Sequence, residues 1–215
     1  MTIFCPSMMC ADFSNLKEEI KNLENAEIDM FHCDVMDGSF VPNMTLGIKD
    51  IETIRKNTDA LIDCHLMIEN PSSKVDWFID AGVDLIYIHP EAERYTGKTL
   101  TYIKDKGKLA GIAINPDTSI ESIKEILHYL DYILVMTVNP GFAGQKFIES
   151  TKEKIKKLVE LKEEYDYKII IDGACSPEVI EELSNLGCDG FVLGTSALFG
   201  KNESYDVLMK KLRNI

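Results

Sequence analysis

This chain has no surplus of basic charge. Its 215 residues carry 23 Lys and Arg against 36 Asp and Glu, a formal net charge of −13. Nucleic-acid and anionic-membrane surfaces are built from clustered Lys and Arg, so neither partner is expected. A small anionic substrate is not excluded, because it answers to local groups. There is no apolar run of the roughly 20 residues that a bilayer span requires. The opening stretch MTIFCPSMMCADF has no basic start and no sustained apolar centre, so it does not read as a secretory signal. Six cysteines, at 5, 10, 33, 64, 175 and 188, form no C-x-x-C pair. Zinc-knuckle and thioredoxin readings fall away with that motif. Reduced thiols in a cytoplasm are the expectation that remains, and the N-x-S/T matches at Asn43 and Asn202 are then chance. Low-complexity tracts, Pro/Gly/Ser linkers and composition breaks are also lacking. Residues 1–215 are therefore expected to form one domain.

What the chain does have is a rhythm. Eight short apolar runs recur: 3–9, 30–36, 61–68, 85–91, 109–115, 132–138, 168–174 and 191–197. They are rich in Ile, Val and Leu, as parallel strands covered on both faces are. Amphipathic stretches alternate with them. Residues 13–28 place Leu16, Ile20 and Leu23 at helical spacing behind a Ser14 cap. Residues 71–82 open on a proline and close on Gly82, the usual asymmetry of a helix. Residues 116–130, 151–165, 176–187 and 203–214 follow, and 48–57 and 97–106 are weaker candidates. Eight alternations predict an α/β fold, a (β/α)8 TIM barrel, with an open doubly wound sheet as the competitor.

Barrel chemistry lies at the C-terminal ends of the strands. The second run, FHCDVMDG, puts His32, Asp34 and Met36 on one face and Cys33 and Val35 on the other. The third ends in His65 and Met67, the fourth in His89-Pro90-Glu91, the sixth in Met136, the seventh in Asp172-Gly173. A lone buried histidine is usually a satisfied core residue, and a lone strand-end Asp is often a helix cap. His32, Asp34, His65 and Asp172 nevertheless make a set. Burying two carboxylates without partners is prohibitive, and one divalent cation would satisfy all four groups. Two imidazoles and two carboxylates suit Zn²⁺, Mn²⁺, Fe²⁺ or Co²⁺ better than Ca²⁺ or Mg²⁺. Cys33 and Cys64 have the opposite parity and should face the helix layer. Met36, Met67 and Met136 share the inward parity or sit near it, and are expected to line the cavity and keep it dry. Cys175 has no obvious base beside it and is expected to be a bystander.

A second constellation is Gly-rich. Gly141-Phe142-Ala143-Gly144 follows the sixth run, and Gly194-Thr195-Ser196 ends the eighth. Loops of this kind on one barrel rim bind phosphate through backbone N–H groups. The bland reading is a pair of ordinary turns.

These residues carry a resemblance. PSMMCADF (6–13), FHCDVMDGSFVPN (31–43), CHLMIENP (64–71), INPDT (114–118), MTVNPGFAGQKFI (136–148) and IDGA (171–174) resemble the ribulose-phosphate 3-epimerase family along essentially the whole chain. The resemblance implies His32, Asp34, His65 and Asp172 as ligands of one divalent metal, zinc first. It implies Asp34 and Asp172 as the acid/base pair. It implies Ser7 and His65 as substrate contacts, and Gly141 to Gly144, Gly173, Gly194 and Thr195 as phosphate and substrate loops. Departures from the family pattern are Ala143, Ala174-Cys175, Thr195 and the HPE of strand four. They look closer to the D-allulose-6-phosphate 3-epimerase branch. The expected reaction is therefore inversion at C3 of D-allulose 6-phosphate to give D-fructose 6-phosphate. D-ribulose 5-phosphate to D-xylulose 5-phosphate is the alternative, and an idle sugar-phosphate-binding barrel the distant one. A decarboxylase or Schiff-base aldolase needs a strand-end lysine that is missing here. A structural zinc site would favour cysteine ligands. A homo-oligomer is the expected assembly.

Overall fold

A computed structural model describes residues 2–215. Eight strands form one all-parallel sheet in the order β1-β8-β7-β6-β5-β4-β3-β2. They are β1 (Ile3–Pro6), β2 (Met30–Met36), β3 (Leu61–Met67), β4 (Leu85–Ile88), β5 (Leu109–Ile114), β6 (Tyr132–Met136), β7 (Lys168–Asp172) and β8 (Gly190–Leu193). A parallel bridge between Ser7 and His32 joins the two ends of the sheet and closes the ring. The expected barrel is the observed one, and its closure sets two candidate site residues side by side.

Helices α1 (Leu16–Asn25), α2 (Ile48–Lys56), α3 (Val75–Asp80), α4 (Thr96–Asp105), α5 (Thr151–Leu161), α6 (Pro177–Leu186) and α7 (Tyr205–Arg213) cover the sheet. Both weaker helix candidates, 48–57 and 97–106, are real helices. α6 shows why its limits were readable: Ser176 Oγ accepts from Val179 N–H, Pro177 opens the first turn, and Gly187 closes it at φ +114°. Two expectations fail. Ser14 does not cap α1; its N–H donates to Asp12 Oδ1, so the more acidic neighbour captures the turn Phe13–Asn15 first. Residues 116–130 hold two 3-10 segments, Ile120–Ser122 and Lys124–Tyr129, in place of an α-helix. Their buried residues are Ile123, Leu127 and Leu130.

Side-chain parity divides the interior into two layers. Outward residues such as Phe31, Cys33, Val35, Ile62, Cys64 and Leu66 pack against the helices, and Cys33 and Cys64 are fully buried there as expected. Inward residues such as Cys5, Leu85, Tyr87, Ala113, Leu134, Ile170 and Val192 fill the barrel. Tyr87 is the largest fully buried side chain. Its ring takes the space that a side chain at position 111 would need: a Cβ on Gly111 would stand 2.5 Å from Tyr87 Cδ1. A glycine on β5 is thus the price of a tyrosine on β4.

Candidate active site

The site begins with the β2–β3 ladder. Its register pairs His32 with Asp63, Asp34 with His65, and Met36 with Met67. β2 reads H-x-D and β3 reads D-x-H, so each inward imidazole faces an inward carboxylate across the ladder. Asp172 comes from the end of β7, in register with Met136 of β6.

These elements converge. One ligand atom from each of His32, Asp34, His65 and Asp172 lies within 4.8 Å of all the others. His32 Nε2 stands 3.2 Å from Asp34 Oδ1 and 3.8 Å from Asp172 Oδ2. His65 Nδ1 stands 3.1 Å and 3.5 Å from the same two atoms. Ligands about 2.1 Å from one tetrahedral ion stand about 3.4 Å apart, so this donor set fits a divalent metal. The chemistry fits as well, because His32, Asp34 and His65 are almost fully buried. Asp34 has a further tether: Ser7 Oγ donates to its Oδ2 at 2.7 Å.

The electrostatics reflect the crowding. Burial alone would push Asp34 up, but the two adjacent imidazoles hold it below the usual carboxylate range. Burial alone would push His32 down, and the charges of Asp63 and Asp34 outweigh it and raise it well above 6.5. His65 is raised in the same way, against its burial, by hydrogen bonds to Asp172 and Asp34.

Asp63 was missed by the motif reading. Its Oδ1 lies 2.6 Å from His32 Nδ1, a charge contact whose angle is too poor for a well-formed hydrogen bond. It is 1% exposed, and burial pushes its carboxyl up. The signal was available: Asp63 has the same parity as His65. A carboxylate behind an imidazole turns the other ring nitrogen toward the metal position and raises its basicity.

Above the four groups opens a cavity of about 570 Å³, including its mouth. Ser7, Asp34 and Asp172 line it together with Met36, Met67 and Met136. All three methionines are buried, at 4%, 1% and 3% exposure. Gly141, Phe142, Ala143, Gly144, Gly173, Gly194 and Thr195 line the same cavity, so the two Gly-rich stretches do share one rim. Asn43 Nδ2 donates to Gly141 O at 2.7 Å, and Gln145 Nε2 donates to the carbonyls of Asn139 and Phe142, which pin that loop. Gly173 takes φ +122°, and a Cβ there would meet Val138 at 2.7 Å. Ala174 holds φ +50° beside it. Cys175 is buried against the carbonyls of Ile171 and Gly173, and burial pushes its thiol up, as suits a bystander.

Known proteins resemble this chain in fold and in sequence. A structure titled 3-keto-L-gulonate-6-phosphate decarboxylase from Vibrio cholerae superposes with a TM-score of 0.72 at 15% identity over 99% of this chain and 96% of that one, which is a likeness of fold. A ribulose-phosphate 3-epimerase from Aquifex aeolicus is 39% identical over 100% of this chain and 97% of its own length. One from Bacillus subtilis is 41% identical over 92% of each. The model of the Ribulose-phosphate 3 epimerase family matches residues 3–199. The allulose-6-phosphate branch suggested by the rim residues is not distinguished by these matches, which carry the ribulose-phosphate name. A match over nearly the whole barrel, with relatives this similar along their full length, means that the chain belongs to the ribulose-phosphate 3-epimerase family.

Proposed function

We propose that the protein is a metal-dependent 3-epimerase that interconverts D-ribulose 5-phosphate and D-xylulose 5-phosphate. One observation carries the chemistry: two carboxylates from non-adjacent strands, Asp34 and Asp172, line one cavity and meet two buried imidazoles at its floor. The substrate rests on the relatives, all ribulose-phosphate epimerases by name. It replaces D-allulose 6-phosphate, which the rim substitutions favoured. None of the relatives ties those substitutions to sugar length. Ala174 occupies a left-handed backbone position where a glycine is commonplace. At Ala143 and Thr195, backbone N–H groups would bind phosphate whatever the side chain.

The C3 hydrogen of a 2-ketose phosphate is α to a carbonyl, and its removal gives an enediolate. His32, Asp34, His65 and Asp172 would hold one divalent ion, zinc by preference, which when bound supplies Lewis-acid stabilisation of that charge. Inversion needs a proton taken from one face and returned to the other. Asp34 and Asp172 divide those roles. Ser7 holds the Asp34 carboxylate in place through Oδ2, leaving Oδ1 toward the imidazoles. Met36, Met67 and Met136 keep water from quenching the enediolate at the wrong face. The glycine loops after β6, β7 and β8 take the phosphate through backbone donors.

The test is exchange of the C3 proton in heavy water, with D-ribulose 5-phosphate and D-allulose 6-phosphate run side by side, with and without chelator. Metal-dependent exchange with the larger kcat/KM on the pentulose is the expected result. A larger value on the hexulose would restore the allulose reading. No exchange on either sugar under any divalent metal would leave a sugar-phosphate-binding barrel.

A further inference from the structure

His65 uses only one of its nitrogens in the four-residue cluster. Its Nδ1 faces Asp34 and Asp172, while its Nε2 lies 2.8 Å from Nε2 of His89, at the end of β4. His89 is fully buried, and its ring packs against Phe40 at 4.7 Å between centroids, tilted by 42°. Its Nδ1 lies 3.4 Å from Glu91 Oε2, a charge contact without the geometry of a hydrogen bond. Oε1 of Glu91 accepts from Asn115 N–H at 3.1 Å and from the Thr118 hydroxyl. Lys154 Nζ donates to the carbonyls of Asn115 and Pro116 and holds that loop down. The INPDT segment, which no part of the reaction uses, is thus the anchor of Glu91. Pro90 completes the frame. The residue before a proline is held extended, and His89 sits at φ −82°, ψ 123°.

Proton bookkeeping along this chain has one consistent solution. A metal ligand offers a lone pair, so Nδ1 of His65 carries no proton when it binds metal. The proton is then on Nε2 and donates to His89 Nε2, which must be a lone pair. His89 therefore carries its proton on Nδ1, the ring nitrogen on the side of the Glu91 carboxylate. Resting on the metal reading above, we infer that His89 and Glu91 are positioning residues that fix the tautomer and ring orientation of His65, so that Nδ1 is presented to the metal. Both imidazoles of the cluster then have a carboxylate behind them. For His32 it is Asp63, in direct contact; for His65 it is Glu91, one imidazole further out. Removing such a partner typically weakens metal binding by roughly 10–100-fold.

Two readouts test this on the full-length protein. The first is the tautomer of His89, read by long-range proton–nitrogen correlation in ¹⁵N-histidine-labelled protein. The proton is expected on Nδ1 both with and without Zn²⁺, since a protonated His65 also donates through Nε2. A proton on Nε2 of His89 would overturn the inference. The second is Zn²⁺ affinity, measured by competition with a chromophoric chelator. His89→Phe removes the acceptor and should weaken Zn²⁺ roughly 10–100-fold. His89→Gln, whose side-chain carbonyl can accept from His65, should recover most of that loss. Glu91→Gln, at the solvent edge, gives the same direction without touching the buried rings. Affinity unchanged in both His89→Phe and Glu91→Gln would overturn the inference. A wild-type protein that binds no Zn²⁺ would overturn the metal reading, and the His89 tautomer would still decide the relay.

Discussion

The two halves of this barrel share one backbone geometry and carry opposite interiors. From β4 to β6 the inward residues below the cavity are Leu85, Tyr87, Ala113 and Leu134, close-packed and apolar but for the Tyr87 hydroxyl. Across β2 and β3 they are His32, Asp34, Asp63 and His65, equally buried. The apolar half needs only volume and fit. The polar half must satisfy four ionisable groups away from water, which it does by pairing them with one another and with Ser7 and His89. The contrast teaches where to expect each kind of failure. Damage at Leu85, Tyr87, Ala113 or Leu134 should cost stability at constant chemistry. Damage to β2–β3 should cost chemistry and metal first.

Metal removal should separate the halves most widely. At a thousandfold excess of metal over Kd, binding adds about 4 kcal/mol of stability, so chelation should lower Tm by roughly 8–16 °C and abolish turnover. The metal-free protein should also acquire a distinctive pH dependence. His32 and His65 are raised on folding, so their contribution is complete below the ordinary value of 6.5 and is lost as pH rises through the folded values. Asp34 is depressed, so its contribution is complete above 3.8 and is lost as pH falls below it. The chelated protein is therefore best supported between those two values. The metal-loaded protein should gain with rising pH, because binding displaces imidazole protons. Thermal melts against pH, with and without chelator, would show whether the two curves diverge on the alkaline side. Parallel curves would mean that the four residues hold no ion.

Next in size are the aspartates. Asp34→Asn and Asp172→Asn should each lower turnover by at least ~10²-fold at saturating metal, the low end for a lost general acid or base. Turnover near wild type in either variant would remove that residue from the proton transfer. Asp63→Asn should act through His32 alone. A loss of roughly 10–100-fold in metal affinity is expected, and turnover should recover at high metal. If turnover stays low with metal saturating, Asp63 does more than orient an imidazole.

The apolar half answers to a different substitution. Gly111→Ala would drive a methyl to 2.5 Å from Tyr87 Cδ1. Overpacking of this kind costs about 1–3 kcal/mol, read as a lower denaturation midpoint, with kcat and metal content unchanged in the folded protein. A fall in kcat that tracks the stability loss would mean that the two halves are mechanically coupled.

How much of this was written in the sequence depends on the distance over which each feature is determined. The barrel was legible because alternation is a local signal: eight Ile/Val/Leu-rich runs separated by amphipathic stretches leave few other folds. His32, Asp34, His65 and Asp172 were legible because parity and strand end, both local, put them at one mouth. Asp63 has the same parity, and went unread because its role appears only when the β2–β3 register sets it opposite His32. The His89–Glu91 connection was further from reach, since it depends on a loop after β5 that no periodicity describes. Residues 116–130 misled for a physical reason. The buried residues Ile123, Leu127 and Leu130 keep the i, i+4, i+7 spacing of an α-helix while the backbone turns as 3-10, so side-chain periodicity alone pointed to the wrong helix type.

The smallest effect concerns Pro90, which sits where the two halves meet. The HPE of strand four, with this proline in it, is one of the departures that suggested a different sugar. Its position argues for stability instead. Pro90 opens the 3-10 turn Pro90–Ala92, where the missing N–H costs nothing, and its ring fixes a torsion the turn already requires. Such a proline stabilises by about 0.4–1 kcal/mol, chiefly by narrowing the unfolded ensemble. Pro90→Val should therefore lower Tm by roughly 1–4 °C. The ratio of kcat/KM for D-ribulose 5-phosphate over D-allulose 6-phosphate should stay where it was, because neither residue at position 90 lines the cavity. A ratio shifted severalfold with Tm unchanged would reverse the assignment. The rim departures would then be reading sugar length, and the apolar half of the barrel would share in choosing the substrate.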